Sequence, residues 1–224
     1  MLFDDVKHHN FSFLLSGLLL CILLLPLISG LDIVETALIR EFALLQVLLF
    51  GVWSMIGDRK WFRIGIVLTV LTGLLTLSSA FIPGIWLSRA ITLITLLFLL
   101  LSSAFCFKSV FSTGKVDINR LYGAACIYLM LAMIWALMYM LLDSFYGESL
   151  TNVNSNHSFW EYLYFSFVTL TTLGYGDIAP VTSAARVLSG FEAVVGQFYL
   201  TILVAALVGV HVSQQYSDRE HQDK

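Results

Sequence analysis

The most specific chemistry in this chain lies in Thr171-Thr172-Leu173-Gly174-Tyr175-Gly176-Asp177. It offers no nucleophile and no acid–base pair. Its resource is the backbone itself. Directing successive carbonyl oxygens toward one axis demands angles that side-chain-bearing L-residues resist, and Gly174 and Gly176 remove that resistance. In a soluble protein Gly-Tyr-Gly-Asp is an ordinary turn, so the setting decides its meaning. Here a short aromatic stretch, Phe159–Thr171, runs straight into it, and a long apolar segment lies on either side.

Those segments place the chain in a membrane. Of 224 residues 58% are hydrophobic and 12% charged, whereas soluble domains carry about a quarter charged residues. Uncharged runs cover Ile64–Ser88, Ala90–Phe107, Leu121–Leu142 and Ala193–Ser217. A bilayer core of about 30 Å takes roughly 20 helical residues, and these runs supply them. The net charge of −3 says little about partners, and no basic cluster suggests nucleic acid. No zinc motif, nucleophile elbow or nucleotide loop points to an enzyme, and no cofactor is expected. Cys21, Cys106 and Cys126 sit inside apolar runs without paired spacing and read as packing residues.

Breaks in the runs predict an all-α integral membrane protein with six spanning helices and one short re-entrant helix. Helix one is Phe11–Ser29, kept as a span because Asp4 and Asp5 spoil the basic lead-in of a signal peptide. A connection through Asp32 and Glu35 leads to helix two, Thr36–Gly57. After the cluster 58–63, helix three runs to Ile82, where Pro83-Gly84 breaks it, and helix four runs to Phe107. Lys108–Asn119 is a polar connector, and Arg120–Leu142 is helix five. A loop at Asp143–Ser158 precedes the re-entrant stretch, and the last helix is Ser183–Val212. With both termini cytoplasmic, Lys7, Arg59, Lys60, Arg63, Lys108, Lys115, Arg120, Arg219 and Lys224 fall inside. Only Arg40, Arg89 and Arg186 fall outside, as the positive-inside rule requires. Trp53, Trp61, Trp86 and Trp160 land at span ends, where amphipathic rings prefer to sit.

The heptapeptide in this setting resembles the filter of the potassium channel family, Thr-Val-Gly-Tyr-Gly, with Leu173 replacing valine. The departure keeps a carbonyl in place and changes the packing behind it. The resemblance implies that carbonyls of Thr172, Leu173, Gly174 and Tyr175, with the Thr172 hydroxyl, replace the water shell of a potassium ion. Gly176 completes the filter. Thr171, Tyr164 and Phe165 are expected to support it, with Tyr175 turned from the axis toward Tyr164 and Phe165. Asp177 is expected to anchor the outer mouth. The carboxyl end of the re-entrant helix would aim roughly half a negative charge at the cavity. Potassium enters as permeant ion.

The resemblance covers helix five to helix six. In the last helix Gly196 matches the family's gating-hinge glycine, and the alternative is a packing glycine. Gln197, Leu200, Val204 and Val208 are candidates for the cavity wall and inner gate, although a lipid-facing stripe would look the same. Four helices ahead of a pore also match the layout of voltage-gated channels, which belong to the tetrameric six-helix superfamily. Their fourth helix carries arginine every third residue, whereas steps of three from Arg89 meet Thr92, Thr95, Phe98 and Leu101. A charge crossing the full field gains about 2.3 kcal/mol per 100 mV, and sensors use about three to four. A sensor-like scaffold with weak or absent voltage dependence is therefore expected. Glu192 invites two readings with Arg89 and Arg40, an ion pair or interfacial snorkelling. His211 is a pH sensor or a solvated interface residue. Asn156-His157-Ser158 fits a glycosylation acceptor.

The expected organisation is a scaffold at 1–107, a cytoplasmic linker at 108–119, a pore domain at 120–212 and a short tail at 213–224. That tail leaves no room for an attached ligand-binding domain. One chain supplies one filter strand, so a ring needs four copies, a homotetramer in the cell membrane surrounded by lipid. A non-selective cation pore and a non-conducting modulatory subunit are the alternatives. The retained Tyr175 and Gly176 argue for selectivity.

Overall fold

In hydrocarbon every backbone polar group needs a partner within the protein, and the helix provides one inside each segment. The apolar runs take that solution. The computed structural model describes residues 10–24, 36–55, 58–79, 81–82, 84–110, 118–153 and 159–222. Within them α1 (Asn10–Leu19) passes into a π-helical turn, Leu20–Leu24, and is followed by α2 (Thr36–Ser54) and α3 (Arg59–Ser79). Next come α4 (Ile85–Val110), α5 (Ile118–Tyr146), the short α6 (Phe159–Leu170) and α7 (Ser183–Gln222). Among the described residues four stretches are long and apolar enough to cross a membrane: α3, α4, α5 and Ser183–Ala206 of α7. The chain is an integral membrane protein, mostly helical. The apolar parts of α1 and α2 are shorter, Phe11–Leu23 and Leu44–Ser54.

Helix ends differ from expectation where local chemistry decides them. Helix α5 runs past Leu142 to Tyr146, where Gly147 takes φ +65° and donates its N–H to the Asp143 carbonyl at 2.8 Å. That left-handed residue is a helix stop that glycine supplies cheaply. Helix α4 continues through Lys108 to Val110, with a cation in its last turn facing the helix dipole. The connector expected at 108–119 is thereby reduced to 111–117. Helix α7 passes Val212 and continues to Gln222, because Ser213–Gln222 contains neither proline nor glycine. The expected breaks at Asp32, Glu35 and Pro83, residues 111–117, Asn156-His157-Ser158, and the side chains of Arg40 and His211 lie outside the described residues.

Helices α1 to α4 form one group, with α2 against α1, α3 and α4, and α3 against α4. Both α1 and α4 also pack on α5 of the same chain, which carries α6 on another side. Helix α5 is apolar all round, and 56% of its span is buried, against 17–33% for the other three spans. A helix without a polar face belongs in the interior. Small residues allow the close approaches. A Cβ on Gly51 would lie 2.7 Å from the Phe98 ring, so α2 and α4 meet where no side chain intervenes. The three cysteines are buried and unbridged. The sequence Leu77-Ser-Ser-Ala-Phe81 recurs as Leu101-Ser-Ser-Ala-Phe105, but the two phenylalanines have no common environment: Phe81 is exposed beyond α3, while the Phe105 ring lies 5.9 Å from that of Trp61.

Candidate functional site

Helix α6 ends at Leu170 with open carbonyls, as every helix does. The segment after it fills them. Thr171 N–H donates to Phe167 O (3.0 Å) and Thr172 N–H to Thr169 O (2.9 Å). Leu173 and Gly174 both donate to Val168 O, at 2.9 and 3.2 Å. The strand expected as the filter is thus suspended from the helix terminus by four of its own N–H groups. Its carbonyls are left free of that duty.

The strand's backbone alternates. Within 171–177, φ is positive at Thr172 (58°), Gly174 (63°) and Gly176 (79°) and nowhere else. Changing hand at every second residue lets alternate peptide groups turn the same way, so that carbonyl oxygens can share one side of the strand. A Cβ on Gly174 or Gly176 would meet nothing within 4 Å, so these glycines are required by conformation and not by space. Thr172 is β-branched and left-handed, a strain of about 1–3 kcal/mol of the kind concentrated at functional sites.

The post-filter segment is strapped down by the loop after α5. Tyr164 donates its hydroxyl to Asp177 Oδ2 (2.7 Å), and Asn152 Nδ2 donates to the Asp177 carbonyl (2.7 Å). Thr151 and Ala179 share three bonds: Thr151 N–H to Ala179 O (2.8 Å), Ala179 N–H to Thr151 Oγ1 (2.9 Å) and Thr151 Oγ1 to Ala179 O (3.3 Å). Val181 N–H reaches Ser149 O, and Ser149 N–H in turn donates to the buried Asp143 carboxylate at 2.6 Å. Asp143 also accepts from Tyr162 of α6 at 2.8 Å. Thr182 then caps α7 through Ala185 N–H (3.2 Å). The Tyr164 hydroxyl holds the Asp177 carboxyl below its usual value.

Helix α7 fixes the other flank of α6. A Cβ on Gly196 would stand 2.3 Å from the Leu170 carbonyl oxygen, so this position has a packing reason to be glycine. One residue on, Gln197 Nε2 lies 3.4 Å from Thr172 Oγ1, which brings the expected cavity residue to the expected filter residue. Leu200, Val204 and Val208 continue down α7 as exposed side chains. Leu173 and Tyr175 are 55% and 67% exposed, and Tyr175 lies open in the single chain. Phe165 lies on the inner face of α6, edge-on to Tyr139 with centroids 4.9 Å apart.

Glu192 is fully buried, so it does not snorkel to the interface, and Arg89 is not its partner. Glu192 is held by two hydroxyls, Tyr139 Oη (2.6 Å) and Ser166 Oγ (2.5 Å). Arg89 lies elsewhere. It donates to the Ser144 carbonyl and to Ser144 Oγ, with Phe145 and Trp86 rings 4.2 and 4.9 Å from its guanidinium. Sequence reasoning missed Tyr139, Asp143, Asn152, Tyr162 and Ser166. Tyr139/Asp143 on α5 and Tyr162/Ser166 on α6 are each four residues apart, a spacing that places each pair on one helix face.

Two outcomes follow from this geometry. Tyr164→Phe removes the bond that lowers Asp177, so the carboxyl should titrate higher, back in the ordinary carboxylate range. Because the folded-state value is depressed, the contact's contribution exists above the unfolded value and is lost as pH falls through the depressed one. Carbon-13 NMR of labelled aspartate reads the shift, and an unmoved titration would refute the assignment. Gly196→Ala should destabilise the folded protein by about 1–3 kcal/mol through overpacking against a backbone oxygen that cannot rotate away. Reversible unfolding in micelles measures it.

Comparison with known proteins covers the same region. Residues 124–212 match the ion channel family. Two-pore potassium channel 2 of Arabidopsis thaliana is 33% identical over 97 residues, 43% of this chain and 20% of that protein. Two-pore potassium channel 4 of Arabidopsis thaliana is 35% identical over 91 residues, 39% of this chain and 32% of that protein. The potassium voltage-gated channel protein Shal of Drosophila melanogaster is 28% identical over 97 residues, 43% of this chain and 17% of that protein. The chain covers no more than a third of the length of these relatives, and no solved structure matches it. Over this stretch the chain is similar to the ion channel family and to potassium channels.

Proposed function

We propose that four copies of this chain surround one pore and conduct potassium passively, selecting it with the backbone carbonyls of Thr172, Leu173, Gly174 and Tyr175 and the Thr172 hydroxyl. The observation that carries this reading is the left-handed alternation at Thr172, Gly174 and Gly176 in a strand hung from α6. A strand in that conformation can face a row of oxygens toward a dehydrated cation without placing a fixed charge there. Gly176 and Thr171 bound the ladder, and the Tyr164–Asp177 pair holds its outer end.

Exposure supports the assembly. Non-helical backbone at membrane depth is tolerated only against protein or a water-filled cavity. In the single chain, 171–177 is exposed throughout, as are Phe191, Val194 and Phe198 on α7. Fourfold symmetry gives one row of carbonyls per subunit and covers Tyr175 with a neighbour. In that assembly Gln197, Leu200, Val204 and Val208 line the cavity and inner gate, and α7 bends near Gly196. The first two helices complete six spans, and both termini lie on the cytoplasmic side of a cell membrane.

The four-helix group, residues 1–107, is read as a sensor-like scaffold without a sensor's charge. On α4 the inward residues after Arg89 are Thr92, Thr95, Phe98, Leu99 and Ser102. Thr92 and Thr95 donate to the Ser88 and Ile91 carbonyls (both 2.9 Å) and line a cavity of about 240 Å³ with Thr72, Thr76, Ser79 and Ser88. Hydroxyls stand where charge would be needed, and Arg89 is engaged with Ser144. One charge cannot deliver the energy that several supply.

Two recordings test the reading. With potassium on one face of a bilayer and sodium on the other, current should reverse far toward the potassium equilibrium value. Reversal near zero through open channels would leave a non-selective cation pore instead. Voltage steps should change open probability only weakly, and a steep response equivalent to several charges per subunit would overturn the scaffold assignment.

A further inference from the structure

Glu192 is the one fully buried carboxylate in the described part of α7, and counting protons around it gives its state. Three short oxygen–oxygen contacts meet there: Tyr139 Oη to Glu192 Oε2 at 2.6 Å, Ser166 Oγ to Glu192 Oε1 at 2.5 Å, and Ser166 Oγ to Ala132 O at 2.8 Å. Each contact needs one proton between its oxygens. Tyr139 supplies the first. Ser166 has a single hydroxyl proton and two contacts, and the Ala132 carbonyl has none to give. With Glu192 ionised, one of the two Ser166 contacts faces oxygen to oxygen with no hydrogen.

A proton on Oε1 completes the set. Tyr139 donates to Oε2, Glu192 donates from Oε1 to Ser166, and Ser166 donates to Ala132 O. The surroundings favour the same state, because a buried carboxylate without a cation is costly. Titratable groups facing Glu192 from α5 are Tyr139 and, farther along, Tyr128, while α6 presents Ser166. Tyr199 of α7 stacks on Tyr128 at 5.8 Å, and Asp143, one turn from Tyr139, is engaged by Tyr162. Among the described residues Arg89 is committed to Ser144 and Arg186 to the Pro180 carbonyl at 3.3 Å.

We infer that Glu192 is carried as a neutral acid whose two hydrogen bonds lock α7 to the helix that bears the filter strand. It acts as a positioning residue, not as an ion ligand. The lock and the Gly196 contact repeat along both helices. Glu192 meets Ser166 and Gly196 meets the Leu170 carbonyl, four residues on in each chain segment. The face of α7 that closes on α6 is therefore a two-point seam ending at the strand itself. The role in selectivity rests on the potassium channel reading above, whereas the protonation state does not.

Infrared spectroscopy of the purified full-length protein separates the two. Wild type minus Glu192→Gln should show the carbonyl stretch of a protonated carboxyl, constant across the neutral pH range. A carboxylate band in its place would overturn the inference, whether or not the protein conducts. Glutamine repeats the neutral pattern, accepting from Tyr139 and donating to Ser166. Glu192→Gln should therefore keep the potassium-over-sodium permeability ratio within about twofold, while Glu192→Asp, too short to reach both partners, should lower it about tenfold, as expected for one lost buried hydrogen bond. Loss in Glu192→Gln with the ratio kept in Glu192→Asp would mean that the charge is needed, and loss of equal size in both would mean that the neutral hydrogen-bond pattern is not sufficient; either would overturn the proposal. Should Glu192→Asp fail to fold, Ser166→Ala gives the same comparison, and the infrared band stands alone in either case.

Discussion

A stretch of backbone that is not helical cannot lie at membrane depth unless protein satisfies its polar groups. Everything from α5 onward can be understood as an answer to that constraint. The strand at 171–177 spends the N–H groups of Thr171 to Gly174 on the open end of α6. That solves two problems together, because the helix end has orphan carbonyls and the strand has orphan donors. It also leaves the strand no more rigid than the helix it hangs from. The position of α6 is then the quantity that the rest of the fold has to define.

Two buried carboxyl groups define it. Asp143, near the end of α5, accepts from Tyr162, and Glu192, on α7, contacts Ser166. Tyr139 and Asp143 stand one turn apart on α5, and Tyr162 and Ser166 one turn apart on α6. The result is a short polar ladder inside an apolar protein, where hydrogen bonds are directional and van der Waals packing is not. Leucines in the same places would bury more apolar surface and fix the register of α6 less sharply. Buried polar groups of this kind favour a unique arrangement when all are satisfied. Asp143 adds a second function through the Ser149 N–H, which ties α6 to the loop that straps residues 177–181.

The strand and the spans were legible in the sequence because their signals are local. Gly174 and Gly176 sit where φ is positive, and uncharged runs of membrane length became helices. The left-handed Thr172 was not legible, since no residue type advertises that conformation when it is β-branched. The ladder was invisible for a different reason. Glu192 is 53 residues from Tyr139 and 26 from Ser166, and hydroxyls on apolar helices look like packing residues until the helices meet. Sequence depth alone leaves Arg89 open to an ion pair with Glu192 or to interfacial snorkelling, whereas in the structure it engages Ser144 and the Phe145 ring on α5. Gly196 shows the limit of a family resemblance. The match points to a bending glycine, and the contact with the Leu170 carbonyl shows that space alone excludes a side chain.

The position of α5 explains why the first four helices do not need charge to matter on the proposed reading. Both α1 and α4 pack against α5 of their own chain, and α5 carries Tyr139 and Asp143 on the side facing α6. At most seven residues, 111–117, separate α4 from α5, so the group α1–α4 stays beside the helix it contacts. A helix that is apolar all round needs cover on every face, and α5 receives it from α1, α4, α6 and α7. Removing the group α1–α4 would expose the back of α5 to lipid, where Gly123 now meets Phe11 and Val110, and Cys126 lies against the Phe11 carbonyl. Lipid tails are as apolar as those side chains, so the loss would fall on close packing and not on hydrophobic transfer. The scaffold's contribution is therefore to hold α5 straight and in register, which fixes Tyr139 and Asp143, which fix α6, from which the strand is hung.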